Sequence, residues 1–211
     1  MSEHWKIETD DAGIAWLCLD KADAKANVLS STVIQELDGI LSQLEQNPPE
    51  GLVMYSGKPG SFIMGADITE FGDFGSAADV ARLGKLGQGV FLRIQALPCP
   101  TVAAINGVCL GGGLEISMFF DYRIGPPGDS KIFGLPEVKL GLIPGYGGTQ
   151  RLPRLIGKGR ALEMILSGEM ITAQEALTIG LVNRVVPGEE LISTCRSLAT
   201  KITQNGPLAI Q

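Results

Sequence analysis

Apolar positions along the chain follow two spacings, and these separate predicted strands from predicted helices. Short runs rich in β-branched residues are typical of buried strands, whereas apolar residues three or four positions apart predict amphipathic helices. Because the two kinds of segment alternate, we predict an α/β fold. Strands are predicted at residues 14–19, 51–55, 101–105, 121–124, 131–133 and 181–186, and helices around residues 31–44, 76–97, 111–120, 149–156, 161–166, 172–179 and 191–202.

One stretch, Asn106 to Tyr122, combines three consecutive glycines with a run that is apolar on nearly every face. A helix of this kind is buried, and its first turn offers unpaired N–H donors at the positive end of the helix dipole. Such donors suit an oxygen that carries or develops negative charge. Glu115 lies inside the run, where an ionised carboxylate is costly unless it is paired, hydrogen-bonded or protonated. The pattern indicates an oxyanion site beside an acid or base, but a packing turn with a capping glutamate fits it equally well.

Two other segments carry weaker signals. Gly65 and Ala66 come directly after a strand-to-loop transition, and small residues there let backbone N–H groups approach a ligand. An ordinary turn explains this pair as well. Glu137 follows Leu135 and Pro136 in apolar surroundings, although a solvated loop glutamate is the commoner case.

Composition and charge restrict the classes of function. The 211 residues are 45% hydrophobic, which is enough for one domain with its own core. Seventeen basic and 23 acidic residues give a net charge of −6, which disfavours nucleic acid or an anionic membrane surface as the main partner. The acidic N-terminus is no signal peptide, and no apolar run reaches membrane-spanning length. We therefore expect a cytoplasmic protein without a membrane partner.

Histidine and cysteine usage narrows the possible chemistry. His4 is the only histidine, which argues against Ser-His-Asp or Cys-His catalysis and against zinc. The four cysteines have no metal-binding spacing and are expected to be reduced core thiols. We expect no metal and no redox cofactor.

Four segments together are more specific than any single motif. SFIMGADITEF, INGVCLGGGLEISMFFDYRI, FGLPEVKLGLIPGYGGTQRLPRLIG and ITAQEALTIGLVNRVV resemble, in this order and spacing, the enoyl-CoA hydratase/isomerase or crotonase family. They look most like the N-terminal hydratase part of bacterial multifunctional fatty-acid oxidation α-subunits. The resemblance implies a crotonase-like spiral of ββα units, with two roughly perpendicular sheets surrounded by helices. Residues 1–211 are expected to form a single crotonase-like domain without the family's C-terminal helices.

The resemblance also implies roles for individual residues. The backbone N–H groups of Ala66 and Gly112 match the family's oxyanion hole, and Glu115 and Glu137 match its two catalytic carboxylates. Leu135 departs from the family pattern, because short-chain hydratases commonly have glutamine before Pro-Glu. The residues implied to bind the substrate are Ala24, Lys25, Ala26, Gly65, Asp67, Ile68, Gly111, Leu135 and Pro136.

The function implied by the resemblance is that of a 2-enoyl-CoA hydratase in fatty-acid β-oxidation. Glutamates move the protons in such a reaction, so a lack of catalytic histidine is no obstacle. Coenzyme A would be part of the substrate, and no cofactor is needed. The alternatives are a Δ3,Δ2-enoyl-CoA isomerase and a non-catalytic acyl-CoA-binding fragment of a multifunctional enzyme. A homotrimer or an assembly with other β-oxidation modules is expected.

Overall fold

The computed structural model describes residues 2–73 and 76–210. Its strands are β1 (Trp5–Thr9), β2 (Ile14–Leu19), β3 (Gly51–Ser56), β4 (Ser61–Ile63), β5 (Thr101–Ala104), β6 (Val108–Leu110), β7 (Tyr122–Gly125), β8 (Lys131–Gly134), β9 (Met170–Thr172) and β10 (Arg184–Val185). Its α-helices are α1 (Ser31–Gln46), α2 (Ala77–Gln95), α3 (Gly112–Ser117), α4 (Gly148–Ile156), α5 (Lys158–Ser167), α6 (Ala173–Thr178), α7 (Leu191–Thr203) and α8 (Pro207–Ile210). Three 3-10 helices cover Ile68–Asp73, Pro136–Leu140 and Gly188–Glu190.

The strands form two sheets. One has six strands in the order β1-β2-β3-β5-β7-β10, and the other has four in the order β4-β6-β8-β9. The pairs β1–β2 and β8–β9 are antiparallel, while the remaining neighbours are parallel. Two sheets of this kind with surrounding helices agree with the predicted α/β class.

Three consecutive ββα units build the sheets. In β3-β4-α2, β5-β6-α3 and β7-β8-α4, the first strand joins the six-stranded sheet and the second joins the four-stranded sheet. Each unit therefore adds one parallel strand to both sheets. This is the predicted spiral, and it brings the ends of β4, β6 and β8 next to each other.

Burial on both faces explains why the central strands are apolar throughout. Every residue of β5 is buried, and so are most residues of β2 and β3. One face packs into the main core, and the other packs against the buried stripe of α7, which includes Leu191, Cys195 and Leu198. Parallel strands that are covered on both faces read as continuous apolar runs. All four cysteines are buried and free, as expected.

Helix boundaries follow from local capping. Ser30, one residue before the predicted cap, accepts the N–H of Val33 at 3.3 Å and begins α1. The predicted capping box of α6 is confirmed, because Thr172 Oγ1 accepts the N–H of Glu175 while the Glu175 carboxylate accepts the N–H of Thr172. These side chains satisfy N–H groups that the first turn leaves unpaired.

One strand prediction needs correction, and four observed strands, β1, β4, β6 and β9, were not predicted. The strand predicted at 181–186 is only two residues long, because the N–H groups of Leu181 and Val182 both donate to the Ala176 carbonyl at the end of α6. Strand β1 was not predicted, since four of its five residues are exposed and it lies at a sheet edge. The short β9 was missed as well, because all three of its residues are only half-buried.

Candidate active site

The glycine triplet lets α3 approach the neighbouring strands closely. Gly111 has a φ of +50°, a conformation that favours glycine, and its N–H donates to the Gly134 carbonyl at 2.9 Å. A Cβ on Gly113 would lie 2.2 Å from the Ile63 carbonyl oxygen. Only residues without a side chain fit here, so this segment is fixed between the ends of β4 and β8.

The loop around Ala66 lies beside the same segment. Leu29 donates to the Gly65 carbonyl at 2.8 Å, and its own carbonyl accepts the Asp67 N–H at 3.0 Å. In a parallel bridge the intervening residue turns its N–H to the opposite side, so the Ala66 N–H points away from Leu29. The Gly65 Cα lies 3.6 Å from the position of a Cβ on Gly111.

Glu115 is a buried carboxyl group held by a loop that is distant in sequence. Its side chain is on α3, the residue is 1% exposed, and Oε1 accepts the N–H groups of Tyr146 at 2.8 Å and Gly148 at 2.7 Å. Burial raises the pKa of Glu115 to about 8, and the nearby Glu137 adds to the rise while the backbone donors oppose it. Near neutral pH this group therefore holds its proton far more readily than an exposed glutamate.

Glu137 is the second carboxyl group at this place. It lies in the 3-10 helix Pro136–Leu140, and its Oε1 is 3.0 Å from the position of a Cβ on Gly111. Its Oε2 is buried and has no hydrogen-bond partner among the residues that the structure describes. Burial raises the pKa of Glu137 above its ordinary value. An unpaired buried carboxyl oxygen is available to a ligand.

One cavity of about 330 Å³ connects these groups. Its wall contains both candidate carboxyl groups, Glu115 and Glu137, together with Ala66 and Gly112. The rest of the wall is mainly apolar, as in most small-molecule sites. Apolar lining residues include Met64, Ile68, Val80, Leu83, Leu140 and Leu142. The arrangement suits an apolar ligand whose reacting atoms meet two proton-transfer groups and two backbone donors.

The family assignment follows from a match to the enoyl-CoA hydratase/isomerase family over residues 9–211. The chain belongs to this family. It is 44% identical over 92% of its length to the fatty acid oxidation complex subunit alpha of Idiomarina loihiensis, and 43% identical over 91% to that of Aliivibrio fischeri. It spans 28% of the length of each of these relatives.

Solved structures of enoyl-CoA hydratase/isomerase family members confirm the crotonase fold. An enoyl-CoA hydratase from Bacillus anthracis is 36% identical, with a TM-score of 0.90 over 99% of this chain and 80% of that chain. A Geobacillus kaustophilus structure is 33% identical, with a TM-score of 0.92 over 100% of this chain and 78% of that chain. The predicted family and fold class are thereby both confirmed.

The structure brings some of the predicted substrate-binding residues to the cavity and leaves others outside its wall. Gly65, Ile68, Gly111 and Pro136 line it. Three others lie elsewhere: Ala24, Lys25 and Ala26 are in the loop before the buried Asn27.

Two further predicted residues, Asp67 and Leu135, are not part of the cavity wall. Asp67 forms an ion pair with Lys21 at 2.8 Å, and each of the two side chains is less than one-fifth exposed. Leu135 is fully buried and packs 3.0 Å from the position of a Cβ on Gly148. The roles assigned by resemblance to these and the other site residues remain predictions.

Sequence reasoning missed the segment that holds Glu115. The turn before α4 supplies two of the donors to its carboxylate, Tyr146 and Gly148, and Gly147 between them has a φ of +117°. The signal was present in the glycine-rich run Pro144–Gly148, since such runs expose backbone N–H groups. The sequence did not indicate that these N–H groups bind Glu115, which lies 31 to 33 residues earlier in the chain.

Residues 2–73 and 76–210 contain neither a cluster of metal ligands nor a membrane-spanning helix. No three His, Cys, Asp or Glu side chains there are grouped as metal ligands. In the same ranges, no helix combines the length and apolar character that crossing a membrane requires.

Proposed function

We propose that this chain is a 2-enoyl-CoA hydratase that adds water across the α,β double bond of acyl-CoA thioesters in fatty-acid β-oxidation. One observation carries the proposal: the buried Glu115 and the half-buried Glu137, whose pKa values burial raises, line the same apolar cavity as Ala66 and Gly112. The names of the relatives, subunits of fatty acid oxidation complexes, support this class of substrate.

The backbone donors would stabilise the charge that develops during the reaction. Addition of water at the β-carbon moves negative charge onto the thioester oxygen. In the proposed complex this oxygen accepts the N–H groups of Ala66 and Gly112, two residues that line the cavity. One such donor is worth ~3 kcal/mol of transition-state stabilisation in another enzyme.

The two carboxyl groups would divide the proton transfers. Glu115 takes a proton from the attacking water, and Glu137 gives a proton to the α-carbon. A new C–O bond and a new C–H bond replace the π bond, and the pair ends with its proton on the other carboxyl group. Exchange with solvent resets it. Hydration thus needs a pair that holds one proton, and burial extends that state into the neutral range because it raises the pKa of both carboxyl groups. The reactive form in this proposal is the one in which the shared proton has moved from Glu115 to Glu137.

The cavity walls suit the remaining parts of the substrate. The apolar side chains accept an acyl group, and the partly exposed loop containing Ala24, Lys25 and Ala26 is proposed to contact the coenzyme A portion together with Asp67. The proposed reaction uses no metal and no separate cofactor. A homotrimer, or an assembly with other β-oxidation modules in the cytoplasm, is part of the same proposal.

Paired assays on matched variants test the proposal. We expect wild-type protein to hydrate crotonyl-CoA, and Glu115→Gln and Glu137→Gln each to lower hydration by ~10²–10⁴-fold, the usual contribution of acid–base catalysis. Isomerisation of 3-enoyl-CoA needs no water, so Glu115→Gln should spare it more than hydration, whereas Glu137→Gln should remove both. Glu163→Gln, on the exposed side of α5, is the control.

The other outcomes discriminate between the alternatives. Isomerisation without hydration identifies an isomerase, and binding of acyl-CoA without turnover identifies a non-catalytic module. If Glu137→Gln is well folded by circular dichroism and keeps both activities, the two-carboxyl mechanism is wrong.

A further inference from the structure

The side chain of Tyr146 is wedged between helix α2 and the candidate oxyanion segment. The residue is 6% exposed, and its ring meets Phe91 edge-on at 5.4 Å between centroids. A Cβ on Gly87 would lie 2.4 Å from its Cε1, and a Cβ on Gly112 would lie 3.1 Å from its Cδ2. The ring therefore touches α2 on one side and Gly112 on the other, while the N–H of the same residue binds Glu115.

One face of α2 contacts this segment at several points. Gly84, Gly87, Gln88 and Phe91 recur at the spacing of three and four residues that defines a single helix face. Gln88 Nε2 donates to the carbonyl of Gly145, directly before Tyr146, at 2.7 Å. A hydrogen bond and a ring contact thus join α2 to two consecutive residues.

We propose that Gly87 and Gln88 are positioning residues for the reaction, because they hold Gly145 and Tyr146 where the Tyr146 N–H reaches Glu115 and the ring supports Gly112. This inference rests on the proposed function. Neither residue touches the reacting atoms. They act through Tyr146, which connects α2 to both halves of the candidate centre.

A methyl group at position 87 should disturb both the hydrogen bond to Glu115 and the packing against Gly112. A Cβ 2.4 Å from a ring carbon is far inside van der Waals contact, so the ring has to move. Because the ring is enclosed by Phe91 and Gly112, its movement shifts the backbone and lengthens the bond from the Tyr146 N–H to Glu115 Oε1. Losing a donor to the charged form raises the pKa of a carboxyl group. Glu137 is the charged group that acts on Glu115, and the substitution at position 87 does not alter it.

A matched pair of glycine substitutions tests the positioning role. Gly87→Ala and Gly89→Ala lie in the same helix and gain the same helix propensity, but a Cβ on Gly89 meets nothing within 4 Å. We expect Gly87→Ala to lower kcat about tenfold, with KM changed less than about twofold, and Gly89→Ala to match wild type. By ¹³C NMR of labelled glutamate carboxyls, the pKa of Glu115 should rise by about one unit in Gly87→Ala. Gln88→Ala should cause a smaller change in the same direction.

A double-mutant cycle separates positioning from general damage. Tyr146→Ala removes the ring but keeps the N–H, so adding Gly87→Ala to it should cause no further loss of kcat and no further rise of the Glu115 pKa. Equal effects of Gly87→Ala with and without the ring would overturn the proposal, and so would an unchanged Glu115 pKa in Gly87→Ala and Gln88→Ala. If wild-type protein turns over neither 2-enoyl- nor 3-enoyl-CoA, the proposed function fails, and the Glu115 titration alone decides the positioning role.

Discussion

Replacing Glu115 by glutamine should change how the stability of the fold depends on pH. The carboxyl group of Glu115 is 1% exposed, and its pKa is raised from 4.5 to about 8. The folded chain therefore binds a proton at this site more tightly than the unfolded chain does. Stability from this group is complete below pH 4.5 and is lost progressively as pH rises toward 8.

The size of the effect follows from the two pKa values. Between them, each pH unit costs about 1.4 kcal/mol of unfolding free energy. Because the slope flattens as the pH approaches 8, raising the pH from 6 to 8 should remove about 2 kcal/mol from the wild-type protein, a large share of the stability of an ordinary domain. Glutamine has the same shape and its oxygen still accepts the N–H groups of Tyr146 and Gly148, but it does not titrate.

Urea unfolding at a series of pH values measures this difference. Wild type and Glu115→Gln share every other titrating group, so the difference between their unfolding free energies isolates Glu115 and its interaction with Glu137. The unfolding free energy of Glu115→Gln should rise relative to that of wild type from pH 6 to 8, and the difference should stay constant above about pH 9. Glu163→Gln, at an exposed position, should follow wild type throughout. Parallel curves for wild type and Glu115→Gln would refute the raised pKa and the desolvation argument behind it.

Two matched pairs of substitutions test the glycine-rich segment and the packing of helices. Gly112→Pro and Gly112→Ala both add a Cβ 3.1 Å from the Tyr146 ring, but only proline removes the backbone N–H. Turnover should therefore be ~10²-fold or more lower in Gly112→Pro than in Gly112→Ala. Equal turnover in the two folded variants would exclude this N–H as an oxyanion donor. A Cβ on Gly39 in α1 would meet nothing within 4 Å, so Gly39→Ala should stabilise the fold by ~1 kcal/mol. A Cβ on Gly113 would lie 2.2 Å from the Ile63 carbonyl oxygen, so Gly113→Ala should destabilise the fold by ~3 kcal/mol or more. Thermal unfolding measures both changes.

Sequence patterns predicted the elements that are either strongly periodic or fully buried. The apolar stripe of α1 and the continuous apolar runs of β2, β3 and β5 correspond to the observed burial. Edge strands escaped prediction because pairing on one side leaves their residues exposed, as in β1. The division of strands between two sheets came only from the family resemblance, since hydrophobic periodicity does not specify which strands pair.

Sequence patterns identified only part of the candidate site. A glutamate inside an apolar run, as at Glu115, is visible in any sequence because it breaks a pattern. Residue patterns alone did not distinguish Glu137 from a solvated loop glutamate, and only the family resemblance singled it out before the fold placed its carboxyl group beside Gly111. The donors from Tyr146 and Gly148 are backbone groups, and every residue except proline has one, so no residue type reveals their use.

Buried charged groups elsewhere in the chain indicate why the unpaired oxygen of Glu137 matters. Arg123 is 3% exposed, but its guanidinium donates to the carbonyls of Leu181, Ser117 and Phe120 at 2.8, 3.3 and 2.6 Å and so connects two segments of the fold. Glu137 Oε2 makes no such bond within the described residues, and the two other unpaired buried atoms there belong to the neutral side chains of Ser61 and Asn106. Burying a carboxyl oxygen without a partner destabilises the fold by about 1–3 kcal/mol and contributes nothing to its architecture. A cost without structural benefit, located at the wall of the cavity, is explained by the ligand that Glu137 is proposed to meet there.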